Sequence, residues 1–134
     1  MDRVPLGARI LLVPHRIAAA KLGLCAYPTF LIIGAQRAGT TSLYNYLSQH
    51  PKVKTAFRKE VHFFDLEYSR GLTWYLAHFP IVIQSKDFIT GESSPCYLFH
   101  PEVPSRVARD LPNVKLIVLL RNPIDRAYSH YYHE

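Results

Sequence analysis

Two glycines five residues apart, Gly34 and Gly39, separate a short apolar run from an amphipathic one. The run at 29–33 has the length and composition of a buried parallel strand. The leucine and tyrosine spacing at 40–50 predicts a helix that ends before Pro51. A strand, a glycine loop and a helix in this order form the start of a βα unit. Backbone N–H groups of such a loop point inwards and the helix adds its positive end, which predicts an anion-binding cradle.

The rest of the chain alternates between apolar runs typical of strands and stretches with helical spacing. Asn122 is the predicted N-cap of the last helix, with Asp125 in its first turn. This pattern predicts an α/β, P-loop-like, three-layer fold with a central parallel sheet. No closing strand follows the last helix, so we expect a domain that is truncated at its C-terminal end. The predicted strands are 52–57, 87–91 and 115–120, and the predicted helices are 17–24, 71–79, 101–110 and 123–134.

Composition limits the class of protein. The 134 residues suit one domain, and 49% apolar with 19% charged residues exclude a disordered tail. No apolar stretch is long enough to span a bilayer. The net charge of +6 favours anionic partners such as phosphates, sulfates, nucleic acid or acidic glycans. Cys25 and Cys96 lack the spacing of a disulfide framework or a metal site, which predicts buried thiols and a reduced, cytoplasmic location.

The first 27 residues differ from the rest of the chain. Arginines surround their short apolar run and Pro14 interrupts it, so the segment does not match a signal peptide. We expect a basic lead-in arm over 1–27 and a single α/β domain over 28–134.

The glycine loop departs from the nucleotide P-loop at one position. That pattern has a lysine directly after its second glycine, where this chain has Thr40. A kinase or NTPase also uses an acidic residue after a second strand to hold Mg²⁺, whereas Arg121 follows the predicted strand 115–120. The only basic residue within the loop is Arg37. A P-loop nucleotide kinase or NTPase remains the alternative function. A nonenzymatic module that binds polyanions is a third, although the scattered basic residues form no stripe.

A second polar cluster runs from Lys59 to Asp65. In an extended segment the side chains of Glu60 and His62 point to the same side. A carboxylate beside an imidazole can take a proton from an acceptor hydroxyl. Spacing alone fits a solvated charge cluster at least as well.

Together these motifs resemble the sulfotransferases that use 3′-phosphoadenosine 5′-phosphosulfate (PAPS). The segment Lys59-Glu60-Val61-His62-Phe63-Phe64-Asp65 is similar to the glycan-type branch, typified by the heparan sulfate enzymes. The resemblance implies that 28–134 is the N-terminal part of a sulfotransferase domain. Such an enzyme moves a sulfuryl group from PAPS to an acceptor hydroxyl or amine without a metal ion. It further implies Glu60 as the general base, His62 as its helper and Arg37 as the cation beside the leaving phosphate.

The resemblance also divides the nucleotide site between two parts of the chain. Arg121 and Ser129 fall on positions that bind the 3′-phosphate in the family. The implied acceptor is a glycan, a lipid or a small metabolite, and no nucleic acid is implied. The heparan sulfate glucosaminyl enzymes have a lysine where this chain has Ser93, so the acceptor stays open. The residues implied to bind the 5′-phosphosulfate are Gly34, Gln36, Arg37, Ala38, Gly39, Thr40, Thr41 and Ser42.

Overall fold

The computed structural model describes residues 6–83 and 87–133, with the side chains of 14–83 and 87–133. Four strands in these ranges form one sheet, and every pair of neighbouring strands is parallel. The α/β fold with a parallel sheet is therefore confirmed. The strands are β1 (Phe30–Gly34), β2 (Val53–Thr55), β3 (Ile89–Ser93) and β4 (Lys115–Val118), in the spatial order β2-β3-β1-β4.

Five α-helices and two short 3-10 helices lie before, between and after the strands in the described ranges. The side-chain oxygen of Asn122 accepts the backbone N–H groups of Ile124 and Asp125, so the predicted N-cap of the last helix is confirmed. The α-helices are α1 (Leu6–Lys21), α2 (Thr40–Ser48), α3 (Leu72–Leu76), α4 (Val103–Asp110) and α5 (Pro123–Tyr131), with short 3-10 helices at Tyr68–Arg70 and Pro95–Leu98.

Two predicted elements are displaced along the chain relative to the structure. The predicted helix at 17–24 is α1, which begins much earlier and ends at Lys21. Gly23, with a φ of 70°, terminates it, so a glycine ends this helix before Pro28 is reached. The predicted strand at 87–91 lies two residues later, because pairing with β1 sets its register and places Ser93 opposite Ile32. The ends of the other predicted elements agree with the structure to within three residues.

The sheet separates two hydrophobic clusters, because successive side chains of a strand point to opposite faces. Phe30 and Ile32 pack with Tyr44 of α2 on one face. Leu31 belongs to the larger cluster on the other face, which includes Val107 of α4. The predicted three-layer arrangement is thus confirmed. The larger cluster is rich in aromatic rings and contains Phe63, Phe64, Tyr75, Phe79 and Tyr97.

The described part of the predicted lead-in arm packs against this cluster. Ala19 and Ala20 are buried in it, and Arg16 donates hydrogen bonds to the carbonyl oxygens of Ala77 and Phe79. The arm thus contributes to the core where it is described, and residues 1–5 lie outside the described residues. No helix in the described ranges has both the length and the apolar character needed to cross a bilayer.

β4 and α5 contain no buried residue. β4 lies at the edge of the sheet and pairs with β1. Leu116 is 53% exposed and Leu120 81% exposed, and Ile124 on α5 is also largely open to solvent. The predicted helix at 123–134 ends at Tyr131, and Glu134 lies outside the described residues.

Candidate functional site

The two glycines of the loop between β1 and α2 are needed for different reasons. A Cβ atom at Gly34 would lie 2.8 Å from Leu98 Cβ and 2.9 Å from the carbonyl oxygen of Pro95, so the loop passes this 3-10 helix only as glycine. Gly39 has a φ of 96°, which favours glycine, and it is the N-cap of α2. No side chain caps α2 there, so its first backbone N–H groups remain available to an anion.

Residues of the loop and of the α5 region line one cavity of about 260 Å³. Arg37 Nε donates to Ser129 Oγ at 3.3 Å, and the Arg121 guanidinium donates to the Arg37 carbonyl oxygen at 3.0 Å. Residues that the family resemblance assigns to the 5′ and the 3′ ends of a nucleotide therefore meet in one place. Two guanidinium groups and several hydroxyls make the cavity a fit for an anion. Its lining consists of Arg37, Gly39, Thr40, Thr41, Arg121 and Ser129.

Four predicted loop residues lie outside this lining. Gly34 is the last residue of β1. The Ala38 N–H donates to the Ala35 carbonyl oxygen at 3.2 Å and so closes a turn within the loop. The side-chain amide of Gln36 donates to Cys96 Sγ at 3.2 Å. Ser42 is exposed on the first turn of α2. Direct nucleotide contacts from these four residues, like those from the residues of the lining, stay predictions.

Glu60 and His62 come together, although the extended segment predicted for them is wrong. Their φ values are 54° and 55°, in the left-handed region that residues other than glycine rarely adopt. His62 Nε2 lies 3.5 Å from Glu60 Oε2, and His62 Nδ1 lies 2.9 Å from Asp65 Oδ2. Asp65 therefore fixes the ring whose other nitrogen faces the predicted base.

Lys59 connects this acid–base segment to the glycine loop. Its ammonium group donates to Thr41 Oγ1 at 2.7 Å and lies 3.5 Å from Glu60 Oε1. A cation thus stands between the cavity and the predicted base. Sequence reasoning gave Lys59 no role of its own, because spacing along the chain does not show that it reaches α2.

A fully buried carboxylate, Glu92 at the end of β3, holds the acid–base segment from the core side. Glu92 Oε2 accepts the Val61 N–H at 3.1 Å and the Ser94 hydroxyl at 2.8 Å. Glu92 Oε1 accepts the hydroxyls of Tyr75 and Tyr97 at 2.8 and 2.9 Å. Burial raises the pKa of Glu92, and these four hydrogen bonds oppose the rise. Four donors are the surroundings that an ionised, acceptor-only carboxylate requires.

Tyr97 extends this support to the other side of His62. Its hydroxyl oxygen accepts the backbone N–H groups of Phe63 at 3.0 Å and Phe64 at 3.4 Å. Burial and the nearby charge of Glu92 raise the pKa of the Tyr97 hydroxyl, which keeps it in the neutral, donating form. Backbone anchored on both sides explains how His62 keeps its left-handed conformation. The sequence shows Glu92 and Tyr97 as one short motif but not which earlier segment they bind.

Cys25 and Cys96 are both free thiols. Cys25 is buried, as predicted, whereas Cys96 is only half-buried beside the loop, so that part of the prediction is wrong. Ser93 is buried, and its hydroxyl has no hydrogen-bond partner among the described residues.

A family model, similar proteins and a solved structure all identify the same family. Residues 27–134 match the family model described as "Sulfotransferase domain". The chain is 40% identical over 113 residues to "Bifunctional heparan sulfate N-deacetylase/N-sulfotransferase 2" of Homo sapiens, a match that covers 80% of this chain and 13% of that protein. It is 40% identical over 123 residues to "Heparan sulfate glucosamine 3-O-sulfotransferase 6" of Homo sapiens, covering 87% of this chain and 35% of the relative.

Two further matches come from other organisms. "Membrane-associated sulfotransferase kil1" of Dictyostelium discoideum is 37% identical over 111 residues, covering 81% of this chain and 23% of that protein. The crystal structure of a sulfotransferase from Alicyclobacillus acidocaldarius superposes with a TM-score of 0.70 at 36% identity, covering 81% of this chain and 50% of that one. The chain thus spans half or less of the length of each of these proteins. A family match over residues 27–134, with the glycine loop, the acid–base segment and the fold in agreement, shows that the chain belongs to the sulfotransferase domain family.

Proposed function

We propose that this chain forms the donor-binding and proton-accepting part of an enzyme that transfers a sulfuryl group from PAPS to an acceptor hydroxyl or amine. The observation that carries the proposal is the position of Lys59. Its ammonium group contacts Thr41 of the arginine-lined cavity and lies 3.5 Å from Glu60. An anionic donor and an acceptor proton would thus be bound at adjacent positions.

The cavity has the donor set that an anionic nucleotide needs. Arg37 and the free N–H groups at the start of α2 would hold the 5′-phosphosulfate. Arg121 and Ser129 would hold the 3′-phosphate. When bound, PAPS supplies the sulfuryl group and the leaving phosphate. The positive charges of Arg37 and Lys59 would stabilise the negative charge that develops on that phosphate.

Glu60 is the proposed general base. Its carboxylate would accept the proton of the acceptor hydroxyl or amine as the acceptor oxygen or nitrogen attacks sulfur. His62 faces Glu60 through Nε2 and is held by Asp65 through Nδ1, so it would orient the carboxylate or share the proton. Side chains of this chain supply every charge that the scheme uses, so the scheme includes no metal ion.

The acceptor in this proposal is a glycan, a lipid or a small metabolite. Two of the relatives carry heparan sulfate in their names, which favours a glycan among these classes. The alternative, a P-loop kinase or NTPase, has less support. Thr40 occupies the position of its lysine, and Arg121 follows β4 where that chemistry uses an acid for Mg²⁺. The cytoplasmic location stays a prediction from the cysteine content.

Calorimetry with the full-length protein and its Arg121→Ala variant tests the proposal. We expect the protein to bind 3′-phosphoadenosine 5′-phosphate in preference to ATP. Loss of charged hydrogen bonds worth about 1.5–3 kcal/mol should weaken that binding roughly 10- to 100-fold in Arg121→Ala. Binding of adenosine 5′-phosphosulfate, which has no 3′-phosphate, should change much less.

Arg126→Ala is the matched control, because Arg126 is an arginine of α5, close to Arg121 in the chain and outside the cavity lining. It should leave both affinities unchanged. Equal losses for the two nucleotides in Arg121→Ala would contradict the role of Arg121. Mg²⁺-dependent turnover of ATP without transfer of radiolabelled sulfate would favour the kinase alternative.

A further inference from the structure

We propose that Cys96, His62 and Asp65 form a binding site for a thiophilic divalent cation of the Zn²⁺ type, and that its occupation inhibits the enzyme. Their ligand atoms, a thiol sulfur, an imidazole nitrogen and a carboxylate oxygen, all lie within 4.8 Å of one another. Of these residues, Asp65 has a buried side chain, whereas His62 and Cys96 are half-buried and border solvent. A cation can therefore enter from solvent without opening the core.

The donor set matches the chemistry of zinc. Zn²⁺ takes thiolate, imidazole and carboxylate ligands together in tetrahedral sites, at about 2.0–2.3 Å. Ligand atoms around such an ion stand closer together than the present separations, so small side-chain rotations would complete the site. Ca²⁺ and Mg²⁺ prefer oxygen ligands only, so the sulfur and nitrogen select against them.

The backbone that carries the three ligands is already cross-linked. Cys96 precedes Tyr97, whose hydroxyl oxygen accepts the N–H groups of Phe63 and Phe64 between the other two ligands. The distance between the 3-10 helix that carries Cys96 and the acid–base segment is therefore fixed by buried hydrogen bonds. A binding site on such a scaffold needs little backbone ordering when the ion arrives.

The surroundings of Cys96 Sγ also suit a bound cation. The side-chain amide of Gln36 donates a hydrogen bond to the sulfur at 3.2 Å, an outer contact of the kind that steadies metal-bound thiolates. Asp65 and Glu60 place negative charge near the sulfur. The same negative charges would attract a divalent cation.

Binding requires a definite movement of protons. The Cys96 thiol loses its proton to the buffer and the sulfur bonds to the metal. His62 binds through Nδ1, so its ring proton lies on Nε2, the nitrogen 3.5 Å from Glu60. In the metal-bound state His62 Nδ1 bonds to the ion and no longer to Asp65. The Nε2–H then points at the Glu60 carboxylate, which is the proposed acceptor of the substrate proton. This inhibitory consequence rests on the proposed function, whereas the binding itself does not.

Titration of the full-length protein with ZnCl₂, followed by calorimetry, tests the site. We expect one Zn²⁺ per chain, and at least about 100-fold weaker binding in Cys96→Ser, where a hydroxyl replaces the thiolate ligand. Cys25→Ser is the matched control, because Cys25 is the other free thiol and lies outside the cluster. Wild-type affinity in Cys96→Ser, or an equal loss in Cys25→Ser, would overturn the proposal.

Cobalt gives a second measurement that does not depend on activity. Co²⁺ added in place of zinc should produce a thiolate-to-metal charge-transfer absorption in the wild type and in Cys25→Ser but not in Cys96→Ser. Co²⁺ that binds without this absorption would show that the sulfur is not a ligand and would overturn the site.

Activity assays separate this site from the proposed function. Zinc should inhibit sulfuryl transfer by the wild type and by Cys25→Ser, and Cys96→Ser should retain transfer in the same zinc concentration. Cobalt absorption without any sulfuryl transfer would support the site and contradict the proposed function. Transfer that zinc inhibits equally in Cys96→Ser would contradict the site and leave the proposed function intact.

Discussion

The acid–base segment and the arginine-lined cavity belong to regions with very different packing. The packed region comprises β1, β3, the aromatic cluster and the segment 56–64, and its polar atoms are held by buried groups such as Glu92 and Tyr97. The open region comprises β4 and α5, where most side chains face solvent. The difference indicates that the proposed base is positioned by the core, whereas Arg121 and Ser129 are presented from elements with little support.

Two leucines opposite each other on neighbouring strands test this difference most directly. Leu31 on β1 pairs in register with Leu116 on β4, and they are 0% and 53% exposed. Leu31→Ala should lower the free energy of unfolding by about 2–5 kcal/mol, the cost of a cavity in a core. Leu116→Ala should cost less than about 1 kcal/mol, because little of that side chain is buried. Urea denaturation of the 134-residue chain measures both, and equal costs would show that β4 is as well packed as β1.

Within the packed region, Glu60→Gln should have the largest effect on turnover. The amide keeps the shape of the side chain but accepts no proton, so turnover should fall by about 10²-fold or more. Affinity for 3′-phosphoadenosine 5′-phosphate should barely change. Glu67→Gln is the matched control, since the Glu67 carboxylate pairs with Arg70 and not with His62. Turnover retained by Glu60→Gln in a radiolabelled-sulfate assay would remove Glu60 as the base.

The Glu92→Gln variant tests whether the buried core positions Glu60, the proposed base. The new amide group must direct N–H donors at groups that now donate to Glu92, so buried polar atoms lose partners at a cost of about 1–3 kcal/mol in unfolding free energy. Turnover should fall as well, because the Val61 N–H loses its anchor beside Glu60.

Tyr44→Phe is the control for that experiment. Tyr44 is also buried; its hydroxyl accepts the Ala56 N–H and donates to the Gly91 carbonyl oxygen, and burial raises its pKa to about 12. This variant should lose stability and keep turnover. If Tyr44→Phe and Glu92→Gln lose turnover in proportion to stability, Glu92 has only a structural role.

The smallest expected effect is the pH dependence contributed by His78. Burial lowers the pKa of His78 from its usual 6.5, so the unfolded chain binds the proton more readily than the folded chain. The contribution is therefore fully present above about pH 6.5 and is lost as the pH falls through the lower, folded pKa. Melting temperatures between pH 7.5 and 5 should decline on the acid side, and His78→Gln should flatten that decline. An unchanged decline in His78→Gln would assign it to other groups.

Much of the fold could be predicted because local patterns dictate it. The glycine loop between a β-branched run and an amphipathic helix, and the Asn-Pro helix start at Asn122, depend on residues close together in the chain. The predicted end of α1 at Leu24 was wrong, because the left-handed Gly23 ends the helix although the helical spacing of apolar residues continues to Leu24. The predicted position of β3 was wrong, because pairing with β1, and not the run of apolar residues, decides which residues form the strand.

The candidate site also has a part that the sequence could predict and a part that it could not. Motif residues such as Arg37, Glu60 and Arg121 could be selected from the sequence, because their residue types and order resemble a family. The reach of Lys59 to Thr41, the support of the acid–base segment by Glu92 and the approach of Cys96 to His62 join residues 18, 31 and 34 positions apart.

The sequence by itself determined the α/β class, the glycine loop between β1 and α2, and the family, because each depends on residue types in a fixed local order. Only the tertiary structure decided which side chains meet. Left-handed backbone at Glu60 and His62 is unfavourable locally and persists because buried hydrogen bonds from distant residues hold it. No pattern of neighbours in the chain can show a conformation that its own neighbours disfavour.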